Sequence, residues 1–213
     1  MENPTDDAAN FLREAVQFMN VRNHFPHVTS VEGEPIFIPK VPSFYGVIEK
    51  NIELYHTSPC FQKLKAMYYE SKTSPFDKDH IHVAVHVRRP MKFDSRQGGA
   101  DTPLTYYLYV MSAVQEMYKS SEKPLLFHLY SQGAVDDFQL LHSFPLQYHL
   151  DDSTFETFNG MVFADVLITS ASSFSYLAGL LSNGRIVYKS FWHAPRHHWY
   201  NVNESLIPSY ALS

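Results

Sequence analysis

A regular alternation of β-branched apolar residues with other side chains runs over residues 81–87. This period of two predicts a largely buried strand rather than a helix. Pro90 cannot donate to a central ladder and holds the residue before it in an extended conformation, so the strand must end ahead of it. The pattern therefore places Arg88 and Arg89 at the carboxyl end of a buried strand.

From residue 103 onward, helical and strand patterns follow one another in turn. Helices are predicted at 103–121, 138–141 and 154–164, and from the serines at 170–173 through 181; strands are predicted at 125–130, 146–150, 166–169 and 185–188. Thr102 is expected to cap the first of these helices, with Pro103 in its first turn. This order predicts an α/β fold: a Rossmann-like, mainly parallel sheet with helices on both faces.

The patterns before residue 79 are weaker. Residues 5–20 predict an amphipathic helix, residues 21–47 are rich in proline and glycine and predict loops, and the later part of 44–69 predicts a second helix. We interpret 1–213 as a single α/β domain, in which 1–78 form a helical and loop part and 79–213 the Rossmann-like part. The length of 213 residues suits one well-buried core.

Charge and composition narrow the functional classes. The net charge of −5 gives no basic field of the kind that binds nucleic acid, so a bound anion is expected to be a small ligand. Cys60 is the only cysteine, which excludes an intramolecular disulfide and a thiolate zinc cluster. No transmembrane segment is expected, and the acidic start is unlike a signal peptide, so we expect a soluble, cytoplasmic protein.

Anion-binding chemistry is suggested at two strand ends. Ligands of open α/β sheets bind at the carboxyl edge, where the Arg88–Arg89 pair would lie, and guanidinium groups match phosphate oxygens. The alternative for this pair is a surface ion pair with an acidic loop. The serine cluster at 170–173 opens a helix, where free N–H groups and hydroxyls suit an anion; N-capping by one serine is the alternative.

The loop over 91–102 carries two glycines and the carboxylates Asp94 and Asp101. Its position directly after the arginine pair suggests a loop with a catalytic or ligand-binding role. The alternative is an ordinary flexible connector. No metal site is expected: His193, His197 and His198 have no acidic or thiolate partner nearby at ligand spacing. The nucleotide motifs GxGxxG and Walker A and the hydrolase motif GxSxG are all missing from the sequence.

Three segments together carry a family resemblance. They are His86-Val87-Arg88-Arg89, Ser131-Gln132-Gly133 and the run from Ala164 to Ser175 that contains Ser172-Ser173-Phe174-Ser175. In this combination the chain resembles the donor-binding half of the fucosyltransferase superfamily, whose members have a His-x-Arg-Arg motif and a GT-B architecture. The aromatic segment 191–199 also resembles sugar transferases of algae and large viruses. The resemblance covers roughly residues 80–190.

The resemblance implies an inverting, metal-independent glycosyltransferase without a cofactor. Its donor is expected to be a nucleoside-diphosphate sugar, with GDP-fucose favoured and UDP-xylose or another UDP-sugar as the alternative, and its acceptor a glycan or glycoprotein. A nucleotide-sugar or glycan-binding module without catalysis is the alternative function. The implied substrate-binding residues are His86, Arg88, Arg89, Ser131, Gln132, Thr157, Asp165, Ser170, Ser172, Ser173 and Phe174.

Two features depart from the family pattern. The family often follows its arginine pair with a small residue and an aspartate, whereas this chain has Pro90-Met91. The role of the family's aspartate would then fall to Asp94 or Asp101. Arg88 is the other residue to which the resemblance gives a catalytic role. Asp94 is favoured as base, because Asp101 precedes a helix where capping competes for it. Residues 1–78 are also too few for a second Rossmann domain, so the acceptor side is expected to be abbreviated or missing.

Overall fold

The computed structural model describes residues 14–15, 17–19, 49–89 and 102–202. The chain forms two compact units, Met1–Thr73 and Ser74–Ser213. The predicted loops over 21–47 and the loop that holds Asp94 and Asp101 lie outside the described residues, as does most of the predicted helix at 5–20. Within the described part of the chain, no helix combines the length and the apolar character needed to cross a membrane.

In the first unit, α1 (Ile52–Thr57) and α2 (Pro59–Glu70) follow one another directly. Ser58 separates them because its extended ψ of 147° ends one helix, while its hydroxyl caps the next by accepting a hydrogen bond from Phe61 N at 3.2 Å. Pro59 takes the first helical position, where no N–H is needed. The predicted second helix is thereby confirmed. The assignment of residues 1–78 to an acceptor side stays a prediction.

The second unit alternates strands with helices. Its elements are β1 (Ile81–His86), α3 (Leu104–Met117), β2 (Leu125–Ser131), a 3-10 helix (Val135–Leu141), β3 (Leu146–Leu150), α4 (Thr154–Phe163), β4 (Val166–Ile168), α5 (Ser173–Leu181), β5 (Arg185–Tyr188) and β6 (Tyr200–Asn201). The predicted strands are confirmed, and β6 is an addition that the sequence patterns did not indicate.

Within the described residues the six strands form one sheet in the order β3-β2-β1-β4-β5-β6, and every pairing is parallel. The chain builds outward from β1 to β3, then returns to the other side of β1 and builds outward again from β4. The strand order thus reverses between β1 and β4. In doubly wound sheets, this reversal opens a crevice at the carboxyl edge, where ligands bind.

Helices cover both faces of this sheet, as predicted. On one face, Val83, Val85 and Val87 pack in a core with residues of α3 and the 3-10 helix. Fully burying each such side chain contributes roughly 1.5–3 kcal/mol. On the other face Tyr130 lies against Gly160 of α4, and Ile186 lies against α5 at Gly179.

The start of α3 differs from the prediction. Pro103 is its N-cap, with φ −63° and ψ 148°, and the helical dihedrals begin only at Leu104. No side chain caps the helix; Thr102 is buried instead. The predicted capping by Thr102 is therefore wrong, because the extended ψ of Pro103 shifts the helix start by one residue. The helix also ends at Met117, earlier than predicted.

Candidate functional site

A cleft of about 350 Å³ opens at the carboxyl edge of the sheet. Its walls come from the ends of β1 and β2 and from the first turns of α4 and α5. The lining residues are His86, Val87, Arg88, Arg89, Tyr130, Ser131, Gln132, Thr154, Thr157, Ser172 and Phe174. The cleft lies at the reversal of strand order, because α5 directly follows β4 and β1 is the neighbour of β4.

Arg88 follows the end of β1 and lies on the cleft wall. The residue is half-buried, and its Nη1 atom is buried. Arg88 also lines a second cleft of about 330 Å³, together with Leu104 and Phe138. Arg88 is thus a cationic residue that borders both clefts.

Arg89, the next residue, forms an ion pair with an acidic side chain. Its Nη1 lies 2.8 Å from Asp137 Oδ2, and its guanidinium lies over the Phe138 ring at 5.6 Å. Both members of the ion pair are about 40% exposed, so the pair contributes at most about 1 kcal/mol. The surface ion pair that was the alternative interpretation is what the structure shows for Arg89, although this side chain also lines the cleft.

Ser172 and Ser173 begin α5 in different ways. Ser172 is buried and is the N-cap, with its hydroxyl accepting a hydrogen bond from Phe174 N at 3.3 Å. Ser173 is exposed, and its Oγ lies 3.0 Å from His193 Nε2. N-capping therefore accounts for Ser172. The first turn of α5 still faces the cleft with its positive dipole end, which favours an anion there.

Ser170 lies beneath the cleft rather than in its wall. It is fully buried, and its Oγ lies 2.8 Å from His86 Nδ1. Burial, with a smaller effect of the Arg88 charge, lowers the pKa of His86 to about 4. His86 is therefore neutral at pH 7, and the ring edge that it presents beside Phe174 carries no charge.

The end of β2 supplies the opposite wall. Ser131 donates its hydroxyl to Val87 O at 2.7 Å, which ties the rim of β2 to the end of β1. Gln132 is exposed at the cleft mouth. Tyr130 lies deeper, with its ring stacked on His149 at 4.5 Å. Burial raises the pKa of Tyr130, so its hydroxyl stays protonated.

A second helix starts at the cleft. Ser153 caps α4 by accepting a hydrogen bond from Glu156 N at 3.2 Å, and Thr154 and Thr157 lie on the cleft wall. Two helix N-termini and Arg88 thus surround the same space. Sequence reasoning missed Tyr130 and Thr154. Both could have been indicated by their positions at the carboxyl edge of the sheet. Tyr130 is the penultimate residue of β2, and Thr154 is the first residue of α4.

Asp165 is not brought to this cleft. It precedes β4 and lies at the amino edge of the sheet, where its Oδ2 accepts a hydrogen bond from His82 N at 2.9 Å. The helix α4 starts at the cleft and carries the chain to the opposite edge of the sheet. Only its first turn, with Thr154 and Thr157, therefore lies at the cleft. The substrate-binding role that the resemblance implies for Asp165 has no support from this geometry.

The aromatic segment that follows β5 packs on the protein. His193 stacks on Tyr176 at 4.5 Å and 16°, and Tyr176 donates its hydroxyl to Ala194 O at 2.8 Å. Trp199 is buried against the same tyrosine. Packing thus accounts for His193 and Trp199, whereas Trp192 is 63% exposed.

Comparisons with known proteins add one structural similarity. No protein-family model and no curated protein matches the chain. A crystal structure of POFUT1 in complex with GDP is similar over 60% of this chain and 45% of that protein, at 12% sequence identity and a TM-score of 0.32. The chain thus spans less than half of the length of that protein. A similarity of this strength does not assign a function.

Proposed function

We propose that the cleft binds the diphosphate of a nucleoside-diphosphate sugar and that the protein transfers the sugar to a glycan hydroxyl. The observation that carries this proposal is the convergence of Arg88 with the N-termini of α4 and α5 on one cleft. A guanidinium and two positive helix ends form a receptor for an oxyanion. The cleft volume of about 350 Å³ falls in the range of small-molecule sites.

The same groups suit the transfer step. As the bond between the sugar and the diphosphate breaks, negative charge grows on the leaving diphosphate, and groups already aimed at it stabilise the transition state. Arg88 and the first turn of α5 would supply this stabilisation. The rings of Tyr130 and Phe174 offer flat apolar surface for a base or sugar. The family resemblance favours GDP-fucose, with a UDP-sugar as the alternative.

The acceptor proton needs a base. Asp94 and Asp101, the two candidates, lie outside the described residues, and Asp94 is favoured because it follows the arginine pair by a short loop. Asp94→Asn is expected to keep donor binding and to lose transfer. Asp101→Asn tests the other candidate and is expected mainly to lower the melting temperature, because helix capping competes for this carboxylate. Normal transfer by Asp94→Asn would place the base elsewhere.

A binding module without catalysis is the second candidate function. Among the described residues that line the cleft, none is a carboxylate, so the described wall offers no acidic group as base. Such a module would bind nucleotide sugars with the same Arg88 contacts. It would neither hydrolyse nor transfer them.

One experiment separates these functions. Isothermal titration with GDP-fucose, UDP-xylose and other nucleotide sugars measures binding, and product analysis of the same mixtures with glycan acceptors measures hydrolysis and transfer. Arg88→Ala is expected to weaken binding roughly 10- to 100-fold, the loss of one or two charge-assisted hydrogen bonds. The control is Arg185→Ala, at an exposed arginine that begins β5 at the opposite edge. Unchanged binding in Arg88→Ala would refute both functions.

A further inference from the structure

A chain of three histidines crosses one face of the sheet. His82 of β1, His128 of β2 and His149 of β3 lie on successive strands, and the parallel register places all three on the face that also carries Ala84 and Tyr130. His82 Nδ1 lies 2.8 Å from His128 Nε2, and His128 Nδ1 lies 3.0 Å from His149 Nε2. The three imidazoles thus form a hydrogen-bonded row.

A carboxylate lies at each end of this row. Asp77 Oδ1 lies 3.3 Å from His82 Nε2, and Asp152 Oδ2 lies 3.1 Å from His149 Nδ1. Among these described side chains the row thus has four contacts, two between imidazoles and one to a carboxylate at each end. Both carboxylates can only accept a hydrogen bond when they are ionised. A neutral imidazole has one N–H, so three neutral rings supply three protons for four contacts. One contact needs either an additional proton or a cation.

The Asp77 end has the shape of a cation site. Asp77 Oδ1 accepts hydrogen bonds from the N–H groups of Asp79 at 2.8 Å and His80 at 3.1 Å, which fixes a tight turn. This turn brings His80 Nδ1 to 3.1 Å from both carboxylate oxygens. The ligand atoms of Asp77, His80 and His82 all lie within 4.8 Å of one another. Around a tetrahedral zinc ion with bonds of about 2.0 Å, neighbouring ligand atoms lie roughly 3.3 Å apart.

We propose that Asp77, His80 and His82 bind a divalent transition-metal ion of the zinc class, with His128, His149 and Asp152 as its outer hydrogen-bonded support. With the ion on His82 Nε2, the Nδ1–H of His82 donates to His128, His128 donates to His149, and His149 donates to Asp152. Every contact is then satisfied by neutral imidazoles. Metal-bound histidines ordinarily donate their second N–H in this way, which fixes the ring and strengthens the bond to the metal.

The surroundings of the row support this assignment. The side chain of His82 is only 4% exposed, and Phe76 stacks on its ring at 4.5 Å and 13°. His80 and Asp77 are more exposed, at 37% and 48%, so an ion can enter from solvent. Three protein ligands leave a fourth position for water, an arrangement found in catalytic rather than structural zinc sites.

This site is separate from the cleft at the other edge of the sheet. His82 and His86 are four residues apart on β1, a separation of roughly 13 Å along a strand. An ion held by Asp77 and His82 therefore does not contact a ligand beside Arg88, and the proposal does not depend on the proposed function. The ion would instead join the turn before β1 to the start of the sheet.

Titration with Zn²⁺ alone tests the proposal. Isothermal titration of the wild-type chain at neutral pH is expected to show one equivalent bound at the cluster and a rise in melting temperature. His80→Ala removes an exposed ligand without disturbing the row, and Asp77→Asn keeps an acceptor for the turn; each is expected to weaken this binding at least about 10-fold. His142→Ala, at an exposed histidine outside the cluster, is the control and should bind as wild type.

A fourth variant tests the outer row. His149→Phe keeps a ring against Tyr130 but removes the acceptor for His128, and is expected to weaken Zn²⁺ about 10-fold. Co²⁺ replaces Zn²⁺ as a spectroscopic probe, and its visible absorption bands should be lost in His80→Ala. No Zn²⁺ binding by wild type, or equal binding by wild type, His80→Ala and Asp77→Asn, would overturn the site. Unchanged affinity in His149→Phe would overturn the supporting role of the row.

Discussion

Ser170 Oγ and His86 Nδ1 lie 2.8 Å apart, with both residues buried, Ser170 beneath the candidate cleft and His86 in its wall. The hydroxyl is the neighbour that fixes which way the His86 ring faces. Ser170→Ala leaves a ring nitrogen buried beside a methyl group, which is expected to lower the free energy of unfolding by about 1–3 kcal/mol. Urea denaturation measures this loss. Ser112→Ala, at an exposed serine on α3, should change stability by less than about 0.5 kcal/mol.

The stability of the fold should fall as the pH is lowered from 6.5 towards 4. The pKa of His86 lies near 4 in the folded chain and near 6.5 when unfolded, so the unfolded state binds more protons in this window. The contribution of neutral His86 to the free energy of unfolding is fully present above pH 6.5. It decreases by about 3 kcal/mol as the pH falls to 4. Urea denaturation at a series of pH values measures this decrease, and the free energy of unfolding of His86→Gln should depend less steeply on pH than that of the wild type. Equal pH dependence in the two proteins would contradict the low pKa of His86.

Arg88 contributes to the low pKa of His86 through its charge. Arg88→Gln keeps a long polar side chain but removes that charge, so the pKa of His86 should rise while burial keeps it below 6.5. An NMR titration of the His86 ring measures this change. With Arg185→Gln as the control, no change is expected, because Arg185 begins β5 at the amino edge. An unchanged His86 in Arg88→Gln would show that burial alone sets its pKa.

The ion pair between Arg89 and Asp137 should restrain an arginine that otherwise serves the cleft. Asp137→Asn keeps an oxygen for Ala134 N, which bonds Asp137 Oδ2 at 2.9 Å, but removes the charge that holds Arg89. Stability should fall by less than about 1 kcal/mol. Binding of pyrophosphate should become tighter, because Arg89 becomes available to the anion. Weaker binding in the variant would show that Asp137 positions Arg89 for the ligand.

Gly160 allows Tyr130 to reach its position on the cleft wall. A Cβ at residue 160 would lie 2.1 Å from the Tyr130 hydroxyl and 2.6 Å from its ring carbon Cζ. Gly160→Ala is therefore expected to destabilise the fold by about 1–3 kcal/mol and to weaken ligand binding. Adding Tyr130→Phe removes the shorter contact and should restore part of the stability, which a double-mutant cycle detects. Strictly additive effects would contradict the contact.

The sheet was predictable because its patterns are local. The alternation over Ile81–Val87 and the position of Pro90 placed Arg88 at a strand end, and the parallel arrangement then brought the ends of β1, β2 and β4 together. The same topology explains why Asp165 lies away from the cleft. A residue directly before a parallel strand lies at the amino edge, so it cannot share an edge with residues that follow strands.

The partners of individual side chains were not predictable from these patterns. Arg88 and Arg89 are adjacent in sequence, yet Asp137 holds only one of them, because a turn at Gly133 with φ 108° brings that carboxylate close. The row of His82, His128 and His149 was missed for a related reason. Its members lie on three different strands, and only the register of the sheet shows that their rings meet.

The short β6 has a consequence for how this chain behaves among its own copies. It covers β5 with two residues, Tyr200 and Asn201, and both are exposed. A strand of this length offers an incoming chain only a brief run of backbone donors and acceptors, too few to template another strand. Among the described strands, the edge at β6 is thus protected against edge-to-edge aggregation by its short length.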